Sequence, residues 1–369
     1  MSILLFAAGL VSLVTGAESL VAGASRLAGV FRVPPLLVGL TVVAFGTSSP
    51  ELAVSIDSAL SGESGISLGN VLGSNIFNIL FILGLSALII PVTVSRKLVR
   101  LDVPVMIAVS LFLLILSLDG ELSRSEGVVL LLCLAAYIFF LIRQGLSEKT
   151  LPPEDGTGGR RARRRGSRPV IDALMIVLGF ALLVLGSDWL VRGAVSIAVS
   201  LRVSGMVIGL TVVAVGTSLP ELFTSVVAAV RGERDIAVGN VIGSNIFNIM
   251  GVLGASAVLS PRSIPVPPAV LGFDMPVMAA AAVACLPIFF TGGRISRPEA
   301  LLLLGYYFAY AAYLVMAASH HDALGGFSSV MLYFVIPLTI VTMAVIVLLE
   351  IRRQRGSGRR ESTAPPEHL

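Results

Sequence analysis

The chain has 369 residues, of which 56% are hydrophobic and only 13% charged, against about 25% charged in a soluble domain. With a mean hydropathy of +0.95, that composition excludes a soluble enzyme. The length leaves room for roughly ten or eleven spans of about 20 apolar residues each, which excludes a small domain on a single anchor. The net charge of +4 is not read as a nucleic-acid signature, because in such a chain basic residues report orientation relative to the membrane. Cys133 and Cys285 both lie in apolar stretches, so neither a disulfide framework nor a cysteine metal site is expected.

Taken in chain order, eleven apolar segments are predicted, at 3–25, 34–60, 66–90, 103–118, 127–142, 170–199, 204–230, 236–259, 274–290, 300–318 and 328–349. No Lys or Arg precedes Arg26, so the first segment lacks the basic leader of a cleaved signal peptide and reads as a span with its amino end outside. With that orientation, 22 of the 26 Lys and Arg residues fall on cytoplasmic connections and only Arg124, Arg202 and Arg262 on the opposite ones, with Arg192 inside a span. This agrees with the excess of positive charge on the cytoplasmic side. The expected divisions are a first five-helix unit at 1–143, an Arg-rich cytoplasmic linker at 144–168, a second unit at 169–318, an accessory helix at 327–350 and a cytoplasmic tail at 351–369.

An internal repeat relates the halves. Gly39–Gly84 aligns without a gap onto Gly209–Gly254 at a shift of 170, with 29 of 46 positions identical. Weaker similarity extends outward, through Leu101–Met106 against Phe273–Met278 and Ser123–Glu126 against Ser296–Glu299. Five spans, an odd number, separate each residue from its mate, so the second copy enters the membrane upside down. Fold class follows: an all-α polytopic membrane protein of two inverted five-helix repeats plus an additional C-terminal transmembrane helix. Such repeats place a shared site near mid-membrane, as in secondary transporters.

Each copy carries Gly-Thr-Ser-x-Pro-Glu within an apolar run: Gly46, Thr47, Ser48, Pro50 and Glu51, then Gly216, Thr217, Ser218, Pro220 and Glu221. Proline lacks the backbone donor and clashes with the carbonyl four residues earlier, so each helix is expected to kink or break, freeing carbonyls from Ala44 to Thr47 and from Ala214 to Thr217. Glu51 and Glu221 sit beside the breaks. A carboxylate inside a span costs about 2.5–3.5 kcal/mol even on the lenient scale and is functional by default. No Lys, Arg or His lies in either motif, so a cation or protons must compensate the pair.

Downstream, Asn70, Ser74 and Asn78, with mates Asn240, Ser244 and Asn248, recur at intervals of four residues, which predicts one helical stripe. Gly69 and Gly73 add a close-packing face. Two readings stand: interhelical hydrogen bonding, or oxygen ligands for a hard cation such as Na⁺ or Ca²⁺. Other acidic residues have structural readings. Glu126 and Glu299 match capping boxes with Ser123 and Ser296; Asp102 and Asp274 are expected as N-caps. Glu18 and Asp188 are left between helix-end structure and an access pathway.

At these motifs the sequence resembles the sodium/calcium exchanger family, particularly its compact prokaryotic members, over roughly residues 3–318. The resemblance implies ion ligands at Ala44, Thr47, Ser48, Glu51, Ser74 and Asn78, and at Ala214, Thr217, Ser218, Glu221, Ser244 and Asn248. It also implies that the first and sixth spans slide across the core to alternate access. Well-studied members carry Asp where this chain has Asn248, which leaves two carboxylates instead of three.

The expectation is therefore a cation antiporter exchanging Ca²⁺ for Na⁺, with Ca²⁺/H⁺ exchange on the same glutamates as the alternative. An intramembrane enzyme is disfavoured, since His320, His321 and His368 lie outside the core. A channel is disfavoured because a multi-oxygen carboxylate site holds ions tightly. No cofactor, nucleic acid or protein partner is expected, only membrane lipid, in a prokaryotic plasma membrane.

Overall fold

A computed structural model describes residues 2–31, 33–148, 169–201, 214–290, 293–319, 324–341 and 344. Helices are labelled α1 (Ser2–Phe31), α2 (Pro35–Thr47), α3 (Ser49–Leu60), α4 (Ser64–Ile89), α5 (Leu98–Asp119), α6 (Arg124–Glu148), α7 (Pro169–Ser200), α8 (Leu219–Val230), α9 (Arg234–Leu259), α10 (Val270–Phe290), α11 (Arg297–Ala318) and α12 (Ser328–Val341). Among the described residues eight helices are long and apolar enough to cross a membrane, or nine if α2 and α3 form one bent span. The segment expected at 204–230 is described only from Ala214, and that at 328–349 only through 341 and at 344. The Arg-rich linker from 149 onward, His320, His321 and the tail lie outside the described residues.

The two helices bearing the second half of each motif form the centre. The apolar stretch of α9 is buried throughout and that of α4 over most of its length. Outer helices present Leu, Ile, Val and Phe outward, as Leu111, Ile115, Leu132, Phe139 and Phe308 do. In hydrocarbon an apolar surface gains little by leaving lipid, so the interior is built from close backbone approach and polar contacts.

That rule is clearest between α1 and α7, which run antiparallel. Gly9, Gly16 and Gly23 recur every seven residues on one helix, and Gly179, Gly186 and Gly193 on the other. A Cβ on Gly16 would sit 2.9 Å from the carbonyl oxygen of Gly179, and one on Gly186 2.9 Å from that of Gly9. Only glycine allows these backbones to approach so closely. The same pair is tied at one end by Arg26 to Asp172 at 2.9 Å. There α1 also reaches the α8 end, with Glu18 against Arg231 at 3.5 Å and Ser25 donating to Glu233 at 2.6 Å. Asp188 pairs with Arg192 of its own helix at 2.7 Å. Both Glu18 and Asp188 are partly exposed ion-pair partners, and neither sits at a helix end.

Short strands join the halves. Val92–Thr93 pairs antiparallel with Arg294–Ile295, and Glu121–Leu122 with Ile264–Pro265. The capping boxes form as expected: Ser123 N–H donates to Glu126 and Ser296 N–H to Glu299, each at 2.7 Å.

Two expectations are corrected. Asp102 and Asp274 are not N-caps; each lies in a π-helical turn, Leu98–Asp102 or Val270–Asp274, that runs directly into the following α-helix. With no free helix end to cap, their carboxylates accept instead from Tyr137 at 3.0 Å and Tyr310 at 2.8 Å. The straight 3.6-residue stripe is also interrupted, because Asn78 and Asn248 fall in π-helical turns, Phe77–Leu83 and Asn248–Leu253.

Replacing Gly186 with Ala should lower stability by about 1–3 kcal/mol through overpacking, read as a drop in melting temperature in detergent. The exposed Gly305, with nothing within 4 Å among the described residues, should tolerate Ala to within about 0.5 kcal/mol.

Candidate cation site

Both proline motifs break their helices. Ser48 leaves helical geometry at φ −81°, ψ 8° and Ser218 at φ −87°, ψ 8°, and α2 and α3 meet at a bend of 44°. Proline then occupies the first turn of the new helix, where its missing N–H costs nothing. Each break turns Ser48 or Ser218 and the following glutamate inward. Glu51, Glu221, Ser48 and Ser218 are fully buried.

The two copies exchange partners. Ser48 Oγ donates to Glu221 Oε1, and Ser218 Oγ donates to Glu51 Oε1, each at 3.0 Å. The glutamate of one copy is thus held by the serine of the other. Ser74 joins on one side, 3.1 Å from Ser218 Oγ. Threonines cross in the same way: Thr47 Oγ1 donates to Asn240 Oδ1 at 3.0 Å and Thr217 Oγ1 to Asn70 Oδ1 at 3.4 Å.

Asn70 and Asn240 are oriented in turn by the backbone. Asn70 Nδ2 donates to the Glu51 carbonyl and to Ser55 Oγ, and Asn240 Nδ2 to the Glu221 carbonyl and Ser225 Oγ. Since a carbonyl only accepts, each amide oxygen must face the threonine. Asn70 and Asn240 thus link the threonine of the other copy to the backbone at the glutamate of their own. Ser55 and Ser225 escaped the sequence reading altogether, although both recur under the repeat.

A further set of buried polar atoms has no hydrogen-bond partner among the described residues. It comprises Glu51 Oε2, Glu221 Oε2, both amide atoms of Asn78, Asn248 Oδ1 and Ser244 Oγ. Five of these six are oxygens; others elsewhere in the described residues, such as Ser86 Oγ, Ser117 Oγ and Thr224 Oγ1, are likewise without a partner. Desolvated carboxylates with unsatisfied oxygens are costly unless a positive charge offsets them. No Lys or Arg forms an ion pair with Glu51 or Glu221 among the described residues. Hydroxyl, amide and carboxylate oxygens without sulfur or imidazole make a donor set suited to a hard cation.

The backbone departs from expectation in one respect. The Ala44 carbonyl is not free, since it accepts from Ser48 N–H at 3.0 Å and from Thr47 Oγ1 at 3.3 Å. Its mate Ala214 opens the short turn Ala214–Gly216. On that side the carbonyl of Gly216, four residues before Pro220, accepts from Ser187 Oγ of α7. Its counterpart under the repeat is Ala17, so no sequence pattern announced Ser187. Residues of α7 also cover both breaks, Phe180 over Gly46 and Val191 over Gly216. Gly239 and Gly243 pack closely on Leu36 and Leu40 as a small-residue face should. The segment that would face Gly69 and Gly73 under the repeat lies outside the described residues.

Comparison with known proteins supplies the remaining finding. Residues 1–143 and 171–316 match the sodium/calcium exchanger protein family. The chain is similar to a sodium/calcium exchanger of Methanosarcina acetivorans, 34% identical over 338 residues that cover 83% of this chain and 96% of that one. It is similar to the inner membrane protein YrbG of Escherichia coli, 40% identical over 260 residues, covering 69% and 79%. In three dimensions it resembles the solved sodium/calcium exchanger of Methanococcus jannaschii with a TM-score of 0.72, at 32% identity, covering 84% of this chain and 97% of that one.

If the crossed serine contacts hold the carboxylates, Ser48→Ala and Ser218→Ala should each destabilise by about 1.5–3 kcal/mol, as for donors to a charged acceptor. Ser49→Ala, which removes only an exposed bond to Phe45 of the same turn, should leave the detergent melting curve unchanged.

Proposed function

We propose that this chain, which belongs to the sodium/calcium exchanger family, exchanges Ca²⁺ for Na⁺ by alternating access at the site built around Glu51 and Glu221. The observation that carries the reading is the pair of buried carboxylates, one from each copy, held crosswise by Ser48 and Ser218, with their second oxygens unpartnered among the described residues. Two carboxylates offset one Ca²⁺ or two Na⁺. An empty site leaves two uncompensated charges in a desolvated interior and is reluctant to move between faces. Loaded with either cargo the charge is balanced, which makes transport an exchange.

The ligands in this reading are Glu51, Glu221, Thr47, Ser48, Thr217, Ser218, Ser74, Asn78, Ser244 and Asn248, with the carbonyls of Ala44 and Ala214. Thr47 has an alternative acceptor in Asn240, so its proton can leave the Ala44 carbonyl available to an ion. The glycine-lined pair α1 and α7 is the moving element, sliding over the two breaks that Phe180 and Val191 now cover.

Eleven spans in two inverted repeats, with the amino end outside, complete the proposal. Strand pairing supports it by parity. Val92–Thr93 and Arg294–Ile295 are hydrogen-bonded and so lie on one face of the membrane; six of the predicted spans separate them, an even number. Four separate Glu121–Leu122 from Ile264–Pro265. Both counts need the segment 204–230 to cross. In this arrangement the protein resides in a prokaryotic plasma membrane with its tail in the cytoplasm.

In proteoliposomes, ⁴⁵Ca²⁺ uptake should follow an outward Na⁺ gradient, and a pH gradient imposed alone should drive none. Glu51→Gln and Glu221→Gln should each abolish uptake while the protein remains folded; wild-type flux in either variant would refute the assignment. Uptake driven by the pH gradient alone would replace Na⁺ with H⁺ as the counter-ion.

A further inference from the structure

The stretches Gly73–Ile79 and Gly243–Ile249 are identical in sequence, yet their amides are wired differently. Asn75 Nδ2 donates to the backbone carbonyl of Asn245 at 3.2 Å. A backbone carbonyl only accepts, so this bond settles which end of the Asn75 amide is nitrogen. The opposite end, Oδ1, accepts from Asn248 Nδ2 at 3.1 Å. That bond settles Asn248 in turn and leaves its Oδ1 as the free end, buried without a partner among the described residues.

The mate of Asn75 does not reciprocate. Asn245 Nδ2 turns back to the Val241 carbonyl of its own helix at 2.7 Å. Asn78 keeps both amide atoms without a hydrogen-bond partner among the described residues. One amide of the site is therefore fixed and the other is not.

We infer that Asn75 is a positioning residue that locks the carbonyl oxygen of Asn248 toward the bound cation, making Asn248 the fixed amide ligand and Asn78 the adjustable one. The inference rests on the reading of this site as a Ca²⁺ site. A flipped Asn248 would present its NH₂ group to the cation, replacing attraction with repulsion. The chain of donors running from Asn248 through Asn75 to the Asn245 carbonyl prevents that flip, because reversing any amide sets two donors or two acceptors against each other. Met278 Sδ, 3.7 Å from Asn75 Nδ2, closes the relay on its other side. Asn78, free of such a relay, can adapt its oxygen to cations of different size and number, which an exchanger of unlike ions requires.

The test is equilibrium binding of ⁴⁵Ca²⁺ to the purified full-length chain in a double-mutant cycle. Asn75→Ala should weaken Ca²⁺ binding about tenfold, the scale of losing a partner that orients a metal ligand. Asn248→Ala should weaken it at least as much. If Asn75 acts through Asn248, adding Asn75→Ala to Asn248→Ala should cost less than about twofold more, since coupled residues are not additive. Asn245→Ala should stay within about twofold of wild type. A purely structural role for Asn75 would weaken binding equally in both backgrounds, and that result, or an unchanged affinity in Asn75→Ala, overturns the inference. Should Asn75→Ala fail to fold, Asn75→Ser is read through the same cycle. Absence of Ca²⁺ binding by the wild-type chain would instead overturn the functional reading beneath it.

Discussion

The structure centres on two fully buried carboxylates that have no basic partner among the described residues. Glu51 and Glu221 come from different copies of the repeat, and each is restrained by a serine of the other copy. The crossed pairing makes the site a property of the interface, with a serine of each copy on the carboxylate of the other. In the proposed reading, a cation bound there would join the two copies electrostatically as the hydrogen bonds join them geometrically. The prolines, the helix breaks and the buried α4 and α9 all serve to bring those four side chains together in a medium that otherwise excludes charge.

The surrounding helices are tied to the centre to different degrees. The central helices α4 and α9 are held by short strands at both ends of the bundle and by asparagine contacts across the copies. The pair α1 and α7 packs intimately on itself through glycine backbones. Among the described residues it meets the breaks through Phe180, Val191 and the bond from Ser187 to the Gly216 carbonyl. In the proposed exchange cycle this pair is the part that shifts, and the contacts a shift would break are Ser187 to Gly216, Ser25 to Glu233 and Glu18 to Arg231.

Much of this was legible in the sequence because the signals were strong and repeated. Apolar length marked the spans, proline marked the breaks, and an acidic residue in an apolar run with no base nearby marked the site. What was not legible arose from tertiary contacts. The π-helical turns at Phe77–Leu83 and Asn248–Leu253 have no propensity signature, so the expected stripe of Asn70, Ser74 and Asn78 was drawn too straight. Asp102 preceded a proline as an N-cap does, but its partner Tyr137 lies on another helix. The Ala44 carbonyl was expected to be free, but the proline at 50 directly releases only the carbonyl four residues before it, that of Gly46, and Ala44 still accepts from Ser48 N–H. Asn75 and Asn245 sit in identical stretches, so no reading of sequence alone could separate their hydrogen-bond partners; only packing does.

The most direct measurement of the central claim is equilibrium binding of Ca²⁺ to the purified protein over a range of Na⁺ concentrations. One shared site with two carboxylates predicts a single Ca²⁺ per chain, displaced completely and competitively by Na⁺. Calcium that remains bound at saturating Na⁺, or two calcium ions bound per chain, would contradict it.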